Sequence, residues 1–419
     1  MRWAAILLAA ALAGAAALPP PGAVAARAAG GTGLCQQMKR RLVRGGGRDS
    51  GLYVVDAETG RAVCGRAAKR LRPLASNTKL FTTSTALTRF GPRYRIETAL
   101  LSDGTLGPEG VLHGSLYLRG GGDPALGVPA FYDRFLGGLG TNLFGLRRQL
   151  REAGLRRVTG RLYADDTIFD RLRGVADSGY ATSPWIGPLS GLAFDSGYAD
   201  PQAGGFASDP AQLAATTLAR SLRRAGIAIP GGVALGATPP GAELLAAVSS
   251  PQMSRLVATT DVYSDNFFAE TLVKLIGARF GGEGSTRAGA KVVARFARAH
   301  GSAVHAVDGS GLTRSNRASP RQVVNLLVAM HGSPLGETFA ADLALAGLEG
   351  TVAHRMRGSA AARRCRTKTG TLTGVSNLSG YCFNADGRTM AFSILMGSVS
   401  DVYLAHSEQD RIAAAIARY

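Results

Sequence analysis

The sequence predicts an α/β (α+β) protein: an antiparallel sheet flanked by helices, with a β-rich inserted domain. Three observations lead there. Strand-like runs stand near both ends of the chain with helical periodicity between them, so one sheet has to be assembled from distant segments. From about residue 95 to 245 the character changes to short strand-like pieces among Gly-rich turns. Finally, 419 residues at 46% hydrophobic suit two cores better than one. The division expected is a leader over 1–25, a discontinuous domain over 34–94 and 246–419, and the insert over 95–245.

The elements follow in order. Arg2, an apolar run to Leu18, prolines 19–21 and the small residues Ala23-Val24-Ala25 read as a cleavable export signal. No later stretch is long and apolar enough to cross a bilayer. A helical stretch from Cys35 to Val43 precedes the break at Gly45–Gly47. Leu52–Val55 and Arg61–Cys64 flank Glu58-Thr-Gly60 as a hairpin. Ser76–Phe90 reads as a helix that Gly91 ends and Pro92 keeps from continuing. Within the insert, Gly114–Leu118 and Val158–Tyr163 are strand-like and only Ala211–Ala225 looks helical. Helical spacing returns in Met253–Val257, Asn266–Leu275, Thr286–His300 and Pro320–Met330. Cys365–Leu372, Ser376–Phe383 and Thr389–Met396 read as consecutive antiparallel strands, and Glu408–Tyr419 as a closing helix.

Composition removes several function classes. The six histidines form no spaced pair of the zinc-peptidase kind, so neither a metal nor another cofactor is expected. A net charge of +19 is scattered and lacks the aromatic interleaving of a nucleic-acid platform, so no nucleic acid is expected. Outside the cytoplasm that charge would suit anionic wall polymers or a membrane surface, and equally an Arg-rich genome. Four cysteines in an exported chain favour disulfides. Three pairings are open, of which Cys35–Cys64 and Cys365–Cys382 are the local choice.

Three short motifs occur in one order: Ser76-Asn-Thr-Lys79, Ser264-Asp-Asn266 and Lys368-Thr-Gly370. Each alone passes for a helix start or a turn; together they make a reaction centre. Ser76 and Lys79 share a helix face one turn apart. A serine hydroxyl needs a base, and a lysine whose pKa is lowered by burial or by a neighbouring cation, here Lys368, can serve. Ser264 can relay a proton and Asn266 can bind a substrate amide, while Asp265 suits a helix cap. Lys368 and Thr369 can hold a carboxylate, Gly370 lets a substrate strand lie close, and Thr371 adds an N–H beside that of Ser76 for an oxyanion. Only six of the 48 basic residues are lysines, yet both motif cations are lysine, which can lose its proton where arginine cannot.

With these residues the chain resembles the D-alanyl-D-alanine carboxypeptidase/endopeptidase family, the class C low-molecular-mass penicillin-binding proteins. Val54-Val-Asp-Ala-Glu-Thr-Gly60, Gly120-Gly-Gly-Asp-Pro124, Asp308-Gly-Ser-Gly-Leu312 and Lys368-Thr-Gly-Thr-Leu372 are similar to that family's segments, from about residue 34 to the C-terminus. Pro73-Leu-Ala-Ser76 carries one residue more than the family's usual Pro-Ala-Ser. The resemblance implies a serine β-lactamase/transpeptidase-like domain and an acyl-enzyme on Ser76. It also implies peptidoglycan stem peptides as substrate and β-lactams as covalent inhibitors. Rival readings are a β-lactamase or esterase using the same trio, or a wall-binding protein with vestigial machinery. Asp308–Gly311 reads as a structural turn near the site, and Gly120–Asp123 lacks the context of a nucleotide loop.

Overall fold

The computed structural model describes the backbone from residue 21 and side chains from residue 33 to the C-terminus. Of the leader expected over 1–25, residues 1–20 lie outside the described residues. Helix α1 (Pro21–Gly46) leads into the hairpin β1 (Ser50–Asp56) and β2 (Ala62–Arg66), whose turn ends at Gly60 with φ +69°. A 3-10 turn, Ala75–Asn77, then runs into α2 (Thr78–Phe90), which Gly91 closes at φ +85°.

The insert follows with β3 (Glu97–Ser102), β4 (Leu116–Arg119), β5 (Leu162–Asp165), α3 (Pro210–Arg224), β6 (Val233–Leu235) and β7 (Glu243–Ser249). Its sheet has the order β6-β5-β4-β3-β7, parallel among β6, β5 and β4 and antiparallel for β3 and β7. Short helices at Pro129–Phe135 and Gly145–Glu152 were not legible as such. The first is about two turns starting at Pro129, and the second, GLRRQLRE, buries only Leu146 and Leu150. The first and last strands pair with each other, which brings the two ends of this segment together at a neck. There Ser250 N–H donates to Ile96 O at 2.8 Å. Strand β7 continues past residue 245 to Ser249.

Beyond the neck come α4 (Met253–Val262), α5 (Asn266–Phe280), α6 (Thr286–Ala299) and α7 (Pro320–His331). They are followed by β8 (Ala344–Leu345), β9 (Cys365–Leu372), β10 (Val375–Phe383), β11 (Thr389–Gly397) and α8 (Val402–Arg418). The terminal helix starts six residues before the expected Glu408 because Asp401 caps it, accepting from Tyr403 N–H and Leu404 N–H.

The main sheet is antiparallel throughout, in the order β8-β9-β10-β11-β1-β2. Alternation along each strand feeds two cores. Leu52, Val54, Phe392 and Ile394 join Met38 and Leu42 of α1 and Ile412 and Ile416 of α8 on one face. Val55, Ala391 and Leu395 join Phe81, Phe268, Leu272 and Leu327 on the other. Helix α2 runs through the second core. It tolerates four buried hydroxyl residues in a row because their protons return to carbonyls: Thr83 to Lys79 O and Thr85 to Phe81 O, both at 2.7 Å. Both local disulfides are formed, Cys35–Cys64 between α1 and β2 and Cys365–Cys382 across directly paired positions of β9 and β10.

Candidate active site

The first motif sits where the 3-10 turn becomes α2, half-exposing Ser76 and burying Lys79 completely. The Lys79 amine lies 3.1 Å from Ser76 Oγ, 2.7 Å from Asn266 Oδ1 and 2.8 Å from Ser310 O. Burial holds its pKa down to about 8, against the pull of Glu270 and then Asp265, Asp308 and Asp261, which favour the ammonium. A neutral amine has two hydrogens. Asn266 Oδ1 and Ser310 O are acceptors that can take both, leaving the lone pair for the Ser76 hydroxyl.

The second motif opens α5. Asp265 caps the helix by accepting from Phe268 N–H at 2.9 Å, and the preceding Ser264 holds a left-handed φ of +60°. Ser264 is not among the three partners of Lys79. Asn266 has a different occupation from the substrate amide expected of it. Its carbonyl oxygen serves Lys79 and its amide donates to Trp185 O of the insert at 3.1 Å, leaving one N–H free to reach outward.

The third motif lies on β9. Lys368 is fully buried, with Nζ 3.2 Å from Thr369 O. Burial and then the charge of Lys79 lower its pKa, while Asp261 opposes them. Thr369 Oγ1 donates to Thr351 Oγ1 at 2.9 Å, and Thr371 is exposed. At Gly370 a Cβ would stand 2.9 Å from Leu74 O and 3.1 Å from Ser76 N, so one close approach that the glycine allows is to the turn carrying Ser76.

Residues missed in the sequence join these parts. Asn77, inside the first motif, donates to Lys368 O at 3.1 Å and accepts from Ser379 Oγ at 2.6 Å. Asn377 of β10 donates to Pro73 O and Leu74 O at 3.0 and 2.8 Å. The visible signal was an amide or hydroxyl breaking an apolar strand pattern, as Asn377 and Ser379 do. Immediately before Ser76, Ala75 holds φ +46°, and its carbonyl packs on Gly311. The Asp308 turn is the tight structure expected: Asp308 accepts from Gly311 N–H, Thr313 N–H and Asn316 Nδ2 at 2.7–2.8 Å. Gly120–Asp123 is structural too, since Asp123 accepts from Ala125 N–H at 2.9 Å and from the Thr141 hydroxyl at 2.5 Å. Among the described residues no cluster of His, Cys, Asp or Glu could hold a metal ion, and no helix is long and apolar enough to cross a membrane.

The chain matches the D-Ala-D-Ala carboxypeptidase 3 (S13) family over residues 36–205 and 201–419. It is 32% identical to a D-alanyl-D-alanine carboxypeptidase of an Actinomadura species, over 89% of this chain and 82% of that protein. It is 28% identical to carboxypeptidase DacB of Mycolicibacterium smegmatis, over 82% of this chain and 75% of that one. In fold it is similar to penicillin binding protein 4 of Haemophilus influenzae, with a TM-score of 0.75 at 21% identity, covering 92% of this chain and 99% of the other. A predatory endopeptidase of Bdellovibrio bacteriovorus superposes with a TM-score of 0.55 at 18% identity, over 87% and 92% of the two chains.

Proposed function

The chain belongs to the D-Ala-D-Ala carboxypeptidase 3 (S13) family, and we propose that it cuts the terminal D-Ala-D-Ala bond of peptidoglycan stem peptides through an acyl-enzyme on Ser76. The observation that carries this reading is the buried Lys79 amine, 3.1 Å from Ser76 Oγ and engaged with two acceptors on its other side. Lys79 takes the hydroxyl proton, and Ser76 Oγ attacks the carbonyl of the penultimate D-Ala. The backbone N–H groups of Ser76 and Thr371 receive the oxyanion. The leaving D-Ala nitrogen collects a proton through Ser264. Water then attacks the ester, Lys79 again acting as base, and Ser76 is restored.

Lys368 does its work from beneath. Fully buried beside Thr369, it supplies positive potential, while the Thr369 hydroxyl turns its proton from Thr351 to the substrate's terminal carboxylate. Cross-linked peptides, which present the same D-Ala carbonyl on a longer leaving amine, are substrates by the same chemistry. A β-lactam ring offers the carbonyl without a leaving group that departs, so its adduct on Ser76 persists. Two disulfides fit an oxidising compartment outside the cytoplasm, the destination implied by the leader.

Intact mass spectrometry after penicillin treatment tests the assignment. The wild-type protein gains one penicillin mass and Ser76→Ala gains none. Release of D-Ala from a stem pentapeptide disappears in the same variant, by about a millionfold or to background. Labelled Ser76→Ala, or rapid multiple turnover of penicillin by wild type, would refute the reading.

A further inference from the structure

Three polar residues of α5 fall on one face, four residues apart: Asn266, Glu270 and Lys274. Asn266 bonds Lys79. Lys274, completely buried, forms an ion pair with Asp170 of the insert and donates to Leu172 O at 2.9 Å. Between them Glu270 is also completely buried, and its hydrogen bonds go to neither Ser76 nor Lys79.

Its Oε1 instead accepts the N–H groups of Gly309 and Ser310, at 3.0 and 2.7 Å. The two carbonyls of the same segment point the other way, onto α2. Gly309 O accepts from the Thr82 hydroxyl at 2.9 Å, and Ser310 O accepts from Lys79 at 2.8 Å. The segment is therefore pinned on one side by a single carboxyl oxygen and on the other by α2. Gly309 allows the approach, because a Cβ there would lie 2.5 Å from Ala269 O. The second oxygen of Glu270 has no partner among the described residues, an arrangement that costs stability unless it serves something else.

We propose that Glu270 is a positioning residue for the reaction: by holding the Gly309–Ser310 peptide it aims the Ser310 carbonyl at Lys79, and so points the lysine lone pair at Ser76. This deepens the reading of Lys79 as the base and rests on it. Its consequence is specific. An acceptor at position 270 is required, a charge is not, and the effect falls on the acylation step instead of on affinity.

The charged and titratable groups facing Lys79 are Glu270 on α5, Asp265 at its N-cap, Asp308 in the turn, Asp261 on α4 and Lys368 on β9; those facing Glu270 are Asp308, Lys79 and Lys274. Burial and then Asp308 push the Glu270 carboxyl above its ordinary range, which fits a role that does not depend on permanent charge.

The test uses the full-length protein with a fluorescent penicillin, in Glu270→Gln and Glu270→Met. Glutamine keeps an acceptor oxygen; methionine keeps the volume without one. The expected result is an acylation rate constant at least tenfold lower in Glu270→Met and within threefold of wild type in Glu270→Gln, with pre-covalent affinity unchanged in both. Equal rates in the two variants overturn the proposal, as does a loss confined to affinity. If Glu270→Met does not fold, the pH profile of Glu270→Gln decides. A neutral acceptor suffices by this reading, so the plateau rate of Glu270→Gln stays within threefold of wild type, and a plateau more than threefold lower overturns the proposal. Ser76→Ala measured in parallel keeps the underlying reading separate: label there counts against Ser76, whereas equal Glu270 variants count against Glu270 alone.

Discussion

Asp165 of the insert and Glu270 beneath the cleft are both buried carboxyls, and burial pushes both toward the neutral form. They end in opposite states. Asp165 accepts four hydrogen bonds at 2.6–3.0 Å, from the backbone and hydroxyls of Thr167 and Thr238, and these bring its pKa below the ordinary value. Glu270 accepts two bonds on one oxygen and none on the other, faces Asp308, and is raised. Asp261 is raised as well, by burial, against the opposing pull of Lys368. A carboxylate whose lone pairs are all used is a tie between loops. One left partly idle among lysines is tension kept at a reaction centre.

The comparison can be broken first at the base. Lys79→Arg keeps the charge but cannot supply a neutral amine, so acylation by penicillin falls by about a thousandfold or more, with the melting temperature as the control for folding. On the proposed reading, the active form in the wild type is the unprotonated amine. Acylation therefore rises with pH through about 8 and is suppressed below it, as stopped-flow rates across pH 6–10 would show. A flat profile would remove Lys79 from the role.

A smaller effect is expected where β9 touches the turn that carries Ser76. Gly370→Ala forces a methyl against Leu74 O and Ser76 N, shifting the nucleophile turn by a few tenths of an ångström. Acylation drops by about 10- to 100-fold, read from the same labelling kinetics.

The smallest change in chemistry belongs to the insert. Asp165→Asn loses charge-assisted bonds worth about 1–3 kcal/mol together and lowers the midpoint of urea denaturation, while the acylation rate stays within twofold. Because the folded pKa of Asp165 is depressed, its stabilisation is present above the ordinary carboxylate pKa. It is lost as pH falls through the folded value, so the variant's stability depends less on pH on the acid side. A large loss of acylation in Asp165→Asn would show that the two kinds of carboxyl are not separable.

Much of the main domain was legible because its elements carry local signals. Ser50–Asp56 and Ala62–Arg66 announce a hairpin by their turn, and α7 starts at a Ser319-Pro320-Arg-Gln322 capping box. The insert was harder. Its parallel strands are two to four residues long, and the run from about 166 to 207 is nearly all turn and bend, held by bonds such as Arg173 to Leu189 O that leave no periodic trace. Gly370 illustrates a second limit. Glycine signals close approach to something, and pattern alone does not say to what.

From its residues alone the chain declares the reacting groups and their order, because a nucleophile, a base and a cation are fixed by side-chain chemistry and close spacing. It also favours the local cysteine pairings, which the fold then forms. What the fold adds are partners far away in the chain: Asn266 on Lys79 across 187 residues, Asn77 on Lys368 across 291. The same packing sets the burial that makes a lysine give up its proton near neutrality. Desolvation depends on every neighbour at once, and those neighbours are chosen only when the sheet and helices close on one another.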